Sequence, residues 1–573
     1  MKIFSKLVKG YVNLSKVQQM ETSSYPMIKG PIQISGEVSI KKTEEINKFL
    51  LEGIKIPDFT TKVSSFGIDE EDERLDLTYP LIPENPAKDE SVLAYTKIQW
   101  NNTKNQYEYF LVEPQISQEM RKIIEKLKDL IEERIDIDFN KLKSNEAKDY
   151  LSKNLDDLLK IFNFKITEQE RKIIQYYIER DFLGLGRIEP LMHDPNIEDI
   201  SCDGVNIPIF VFHRNPKIGS VQTNVVYNDP EELDAALIRF AQLCGTSISI
   251  LNPLLDGALP DGSRIQGTLA TDIAKRGSNF TIRKFSKNPY TPTHLLNSET
   301  IDVKTLAYLW TAIDYGSSVL LSGGTATGKT TLLNILSLFI RPEMKIVSIE
   351  DTGEIVLPHP HWISQVARVP ISTDQGKQKG EIDLFDLLKE SLRQRPDYII
   401  VGEVRGKEAY VLFQQMATGH YSLATIHAES MEKLIDRLIT PPIQLPPSLI
   451  ESLDIVVFVT ATRYKGKFVR KVKSIAEEVG FNYSENKPLF KEVIRWNSDF
   501  NTFDAVNKSS ILEKIKKRYG FSEKQIIDEL KRRMVILNWM KENNITDYKD
   551  VAKVIEAYYR YPVQVIDAIS GET

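Results

Sequence analysis

Residues 323–330 read Gly323, Gly324, Thr325, Ala326, Thr327, Gly328, Lys329, Thr330, which is the spacing G-x-x-x-x-G-K-T. An apolar run, Val319-Leu320-Leu321-Ser322, leads in, and Thr331 to Leu336 leads out with helical character. Between a strand and a helix, such a loop turns its N–H groups inward toward phosphate oxygens, because its glycines tolerate the required backbone angles. Lys329 supplies a point charge for the β- and γ-phosphates, and the Thr330 hydroxyl can ligate Mg²⁺. The helix N-terminus adds partial positive charge. A glycine-rich turn that merely ends a strand is the alternative. The Lys-Thr pair in register with both flanks correct weighs against it. The segment therefore implies binding of a nucleoside triphosphate.

Three more groups of reactive side chains follow strand-like runs. Ile349-Glu350-Asp351-Thr352-Gly353-Glu354 offers Glu354 and Glu350 as carboxylates able to orient or deprotonate water. Tyr398 to Arg405 is an apolar run ending in an acid, with Gly402 where an aspartate is usual, so Glu403 must carry the acidic role beside a metal. Arg405 and Arg393 could complement phosphate, although for each a structural ion pair competes. His420 and His427 bracket the run Tyr421 to Ile426. With no cysteine nearby and no histidine four residues on, they make a poor zinc site, and a phosphate-sensing role competes with simple core packing.

The elements that must position these groups are legible in outline. At 573 residues the chain is too long for one core, so three or four domains are expected. The boundaries read as 1–115, a variable α/β region; 116–183, a helical bundle; 184–290, a β-rich block with a covering helix; 291–300, a Pro/Thr-rich linker; 301–509, strands alternating with helices; and 510–573, helical again. Strand candidates at 319–322, 345–350, 398–401, 421–426 and 454–459 imply a mostly parallel sheet. Net charge of −6 argues against a dedicated nucleic-acid binder, without excluding a basic channel lining a ring. Cys202 and Cys244 are the only cysteines and form no C-x-x-C, which points to inert thiols, no zinc ribbon and a reducing compartment. No apolar stretch approaches the ~18 residues of a membrane span, and no signal peptide is evident, so a cytoplasmic protein is expected. Lys2, Lys6, Lys9 and Lys16 alternate with Ile3, Phe4, Leu7, Val8 and Tyr11, a pattern that suits either a peripheral membrane helix or a frayed or docked terminus.

Taken in order, the four segments resemble the type II/type IV secretion ATPase family. Gly184 to Leu191, Asp199 to Gly204, Asp261 to Gly267 and Arg276 to Lys284 are similar to that family's N-terminal domain, and Arg532 to Tyr559 to its archaeal branch, which drives archaella and type IV pili. The resemblance covers roughly residues 105–573. It implies an α/β fold: a RecA-like P-loop domain, a mixed α+β, PAS-like N-terminal domain and helical appendages. It also implies a homo-hexamer with ATP at the seam between the domains. Gly323 to Thr331 would bind the nucleotide, and Thr330 and Glu403 would hold Mg²⁺. Glu354 would be the general base, and Glu403 the Walker B acid. His420 and His427 would form the histidine box. Arg264, Arg276 and Arg283 would reach the phosphates from the N-terminal domain. The implied partners are a polytopic membrane platform protein and a pilin-like filament, with peripheral membrane association and no nucleic acid. A nucleic-acid translocase on the same core, and an NTP-dependent scaffold that does not hydrolyse, are the alternatives.

Overall fold

Two sheets of nine strands each organise the computed structural model. It describes residues 74–570 except 135–143, 270–272, 286–287, 369–371, 375–376, 380–381 and positions 89, 163, 165 and 216. The basic amphipathic segment at the N-terminus lies outside the described residues.

The first sheet contains β1 (Leu77–Ile82), β2 (Ala94–Asn101), β3 (Gln106–Val112), β4 (Ile197–Cys202), β5 (Pro208–His213), β6 (Ser220–Val226), β7 (Leu254–Ala258), β8 (Arg264–Thr268) and β9 (Asn279–Arg283). Their order is β1-β2-β3-β6-β5-β4-β9-β8-β7. The parallel pairing of β3 with β6 joins 77–112 to the block beginning at 184. Buried Asp194 reinforces the join, accepting 2.8 Å hydrogen bonds from the hydroxyls of both Tyr79 and Tyr109. The helices Gln118–Arg134, Ser144–Ile161 and Glu168–Phe182 share the same core, which runs from Leu81 to Ile282. One core thus crosses the boundaries expected at 115 and 183.

The second sheet contains β10 (Val319–Gly323), β11 (Ile346–Glu350) and β12 (Trp362–Val366), then, past the small hairpin β13 (Ser372–Asp374) and β14 (Lys377–Lys379), β15 (Tyr398–Val401), β16 (Tyr421–Ile426), β17 (Ile455–Tyr464), β18 (Lys467–Asn482), β19 (Lys487–Asn497) and β20 (Thr502–Ala505). Its order is β12-β11-β15-β16-β10-β17-β18-β19-β20. Pairing is parallel from β12 to β17 and antiparallel beyond. Strands β10, β11 and β15 are buried at every residue, as a sheet covered on both faces requires. The P-loop strand lies inside the sheet, separated by β16 from β15, the strand that leads into Glu403, which is a RecA-like order. The fold is therefore α/β with a RecA-like P-loop domain.

The stretch read as a linker is packed: in Pro292–Asn297 the residues Pro292, Thr293, Leu295 and Leu296 are buried. Val472 N–H donates to the Thr300 carbonyl at 2.9 Å, and the buried Lys471 Nζ to that of Glu299 at 2.5 Å. The C-terminal helices are likewise no loose appendage, because Ile511, Ile526, Leu537 and Tyr558 belong to the core beneath β10. Arg533, 1% exposed, pairs there with Asp314 and lies among Trp310, Tyr315 and Tyr558. Among the described residues no helix is long and apolar enough to cross a membrane.

Candidate active site

Parallel strands all end on the same edge of their sheet, and loops leaving that edge gather their side chains. The loop after β10 is shaped by its glycines. A Cβ on Gly323 would stand 2.3 Å from the Val459 carbonyl oxygen, so only glycine fits against β17. Gly328 has φ +89° and begins the helix Lys329–Ser337. Around Gly324 an added Cβ would meet nothing nearer than 3.4 Å, which leaves that face of the cradle open.

Lys329 is buried, and its Nζ donates to the Gly324 carbonyl at 2.7 Å and to His427 Nδ1 at 3.3 Å. His427 Nε2 lies 3.1 Å from Glu403 Oε1. The other Glu403 oxygen accepts from Arg405 at 2.6 Å, and the second arm of Arg405 reaches Asp351 at 3.3 Å. The ribbon Lys329–His427–Glu403–Arg405–Asp351 thus follows the ends of β10, β16, β15 and β11, adjacent strands in their order across the sheet.

Electrostatics sets the protonation states along it. Burial pushes the Lys329 ammonium down, Glu403 supports the charge, and Arg437 opposes it. Burial also lowers His427, helped by Lys329, Arg437 and Arg405 against the pull of Glu403, so the ring is neutral. In that state Nε2–H donates to Glu403 while Nδ1 accepts from Lys329. Burial alone would raise Glu403, but the hydrogen bond and charge of Arg405, together with the Lys329 charge, outweigh it and hold the carboxyl below its usual range.

The acidic box after β11 separates its two candidates. Glu354 is exposed, whereas Glu350 is buried, its Oε1 accepting from the N–H groups of Glu354 at 2.9 Å and Ile355 at 3.0 Å. Of the two, only Glu354 is open to water, as a general base requires. Asp351 also feels the charge of Arg264, which the first sheet contributes.

The remaining expected residues stand apart from one another. His420 does not join His427: β16 runs parallel to β10 with Ile426 opposite Ser322, so residue 420 falls at the far edge, about 20 Å away by strand rise. Its ring Nδ1 meets Thr418 Oγ1 at 3.3 Å instead. The three arginines do not converge either. Arg264 and Arg283 face one another across β8 and β9, each beside an acid: Asp256 at 3.4 Å and Glu198 at 3.8 Å. Arg276 lies in the turn entering β9, at the opposite end from Arg283, and its carbonyl accepts from Val205 N–H. Arg393 takes the ion-pair alternative, 3.6 Å from Glu390 on the surface. Sequence reasoning missed Arg470, whose Nε donates to the Ala326 carbonyl at 3.1 Å from β18, and buried Asn334, which accepts from Val356 N–H at 3.1 Å. Neither carries a local motif, since both act through tertiary pairing.

The donors present fit the expected ligands. Lys329, Arg470 and the helix N-terminus match a polyphosphate, and a hydroxyl with a carboxylate, Thr330 and Glu403, is a hard-oxygen pair suited to Mg²⁺. Among the described residues no group of three or more His, Cys, Asp or Glu could hold a metal ion, so such a cation would draw its other oxygens from nucleotide and water.

Residues 238–545 match the family model described as Type II/IV secretion system protein. Uncharacterized protein MJ0900 of Methanocaldococcus jannaschii is 40% identical over 409 residues, covering 70% of this chain and 73% of that protein. The type IV secretion system protein PtlH of Bordetella pertussis is 30% identical over 266 residues, 40% of this chain and 76% of PtlH. The sulphate complex of the VirB11 ATPase from the Brucella suis type IV secretion system aligns with 51% of this chain and 93% of its own, at 24% identity and TM-score 0.26.

Proposed function

The chain belongs to the type II/IV secretion system protein family, and from that premise we propose that it is a hexameric motor whose ATP hydrolysis drives assembly or rotation of a type IV pilus-like filament through a membrane platform protein. It is an ATP hydrolase. The observation that carries the motor reading is the charged ribbon from Lys329 to Asp351, with Arg264 of the other sheet in its field. Changing the charge at the Lys329 end of such a ribbon is felt at Asp351, the residue on which the charge of Arg264 acts.

In this reading Lys329 and the loop amides grip the triphosphate. Mg²⁺ held between Thr330 and Glu403 would offset phosphate charge. Glu354 takes the proton of the attacking water. His427, neutral, passes the state of the phosphates from Lys329 to Glu403. Arg264 and Arg283, paired with Asp256 and Glu198 in the absence of nucleotide, would exchange those acids for phosphate oxygens when the cleft closes, and so favour closure while phosphate is present. Cleavage and release then let the halves part. Ring assembly, peripheral work at the inner face of a membrane and the archaeal filament partner belong to the same proposal.

Substituting Glu354→Gln tests it. A motor keeps nucleotide binding and loses about 100-fold or more of its turnover. A scaffold that does not hydrolyse ATP is unaffected, and a nucleic-acid translocase instead shows DNA-stimulated, salt-sensitive ATPase activity.

A further inference from the structure

Glu350 closes β11 with a side chain that the chemistry above does not use. The residue is 1% exposed. One carboxyl oxygen accepts two main-chain N–H groups, those of Glu354 and Ile355. The other is buried and has no hydrogen-bond partner among the described residues. A buried carboxyl with half its capacity unmet is costly, so its presence needs a reason. Directly across, at the first residue past β15, a Cβ built on Gly402 would stand 3.2 Å from Glu350 Cγ and 3.5 Å from its Cβ. Gly402 occupies the position where an aspartate is usual before the terminal acid of such a strand. Here any side chain at 402 would press on Glu350.

We propose that Glu350 is a positioning residue for hydrolysis: its carboxyl, seated in the space that Gly402 leaves, pins the loop Thr352–Ile355 by its amides and thereby sets where Glu354 stands. The missing side chain at 402 and the buried carboxyl at 350 are two halves of one device. The inference rests on the hydrolytic reading above, in which Glu354 handles the attacking water. Glu350 acts through the main chain, its Oε1 held by the N–H groups of Glu354 and Ile355. It fixes the backbone from which the base projects, and a misplacement of about 1 Å in such a group costs on the order of 100-fold in rate.

The test combines steady-state ATPase kinetics of the full chain with amide hydrogen exchange over residues 351–357. Glu350→Ala is expected to lower kcat by about 30- to 100-fold with little change in KM, and to abolish protection of the Glu354 and Ile355 amides. Glu350→Gln retains an acceptor for both N–H groups, so it restores protection and holds the kcat loss under about threefold. Gly402→Ala is expected to lower kcat in the wild-type background and to have no further effect on Glu350→Ala, because the partner it crowds is gone. Full activity of Glu350→Ala, a Glu350→Gln loss as deep as that of Glu354→Gln, or additive effects of the 350 and 402 changes would each overturn the proposal. The exchange readout needs no turnover. A chain that fails to hydrolyse ATP refutes the hydrolytic reading, whereas unprotected amides in the wild type refute the positioning role.

Discussion

Glu350 also gives a pH dependence whose size follows from its surroundings. Burial pushes its carboxyl up from 4.5 to about 7, opposed by the Glu354 and Ile355 amides and reinforced by the neighbouring Glu354 charge. In the unfolded chain it releases its proton at the ordinary value. Between the two values the folded state binds more protons, so stability falls as pH rises. The contribution is fully present below 4.5 and lost as pH passes about 7. The gap is worth about 3 kcal/mol at about 1.4 kcal/mol per pH unit, and about 2.5 kcal/mol of it is lost between pH 5 and pH 8. Glutamine at 350 has no proton to lose, and its cost or gain is the same at every pH. Urea unfolding of wild type and Glu350→Gln at pH 5 and pH 8 should therefore show the variant gaining about 2.5 kcal/mol relative to wild type over that interval. An unchanged difference between the two proteins at both pH values would mean that the carboxyl is solvated and ionised throughout, which would refute the dry setting from which the number was derived.

The ribbon at the sheet edge makes a second pH prediction. His427 is held below the ordinary histidine value of 6.5, so the neutral bridge between Lys329 and Glu403 is complete above it and is lost as pH falls through the lowered value. ATPase activity should show an acid limb below pH 6.5, and His427→Gln should lower kcat and remove that limb; a limb persisting in the variant assigns it to another group. In the second core, Asp314→Asn leaves buried Arg533 without its main counter-charge, although Glu529 remains 2.7 Å away. The loss should be about 3 kcal/mol in urea unfolding, and a change below about 1 kcal/mol would show that the pair does not hold the C-terminal helices to the core.

What was legible in the sequence was local. The loop at 323–330, and strands made mostly of apolar residues, declare themselves because a doubly covered strand and a phosphate loop each leave a contiguous signature. The expected strands 319–322, 345–350, 398–401 and 421–426 sit within a residue of those observed, whereas 454–459 continues to Tyr464 because β18 pairs along its length. Long-range pairing was not legible. The junction of β3 with β6 rests on two residue pairs more than a hundred positions apart, and no local pattern announces it. The stretch at 291–300 looks like a linker by composition, yet Leu295 and Leu296 are buried, because composition reports turn propensity and not what covers the turn. The histidines were legible in this respect: the run they bracket is β16, whose six residues carry His420 and His427 to opposite edges. Glu350 and Glu354 were equivalent by type and spacing, and burial alone tells them apart.

Nucleotide uptake at the loop between β10 and its helix underlies everything else, and titration calorimetry of the full chain with ATP and Mg²⁺, wild type beside Lys329→Ala, measures it directly. Wild type should bind one nucleotide per site, and the variant should lose about 100-fold or more in affinity, since it removes the buried charge set against the phosphates. Equal affinity in the two proteins, or no heat of binding in either, would contradict the account.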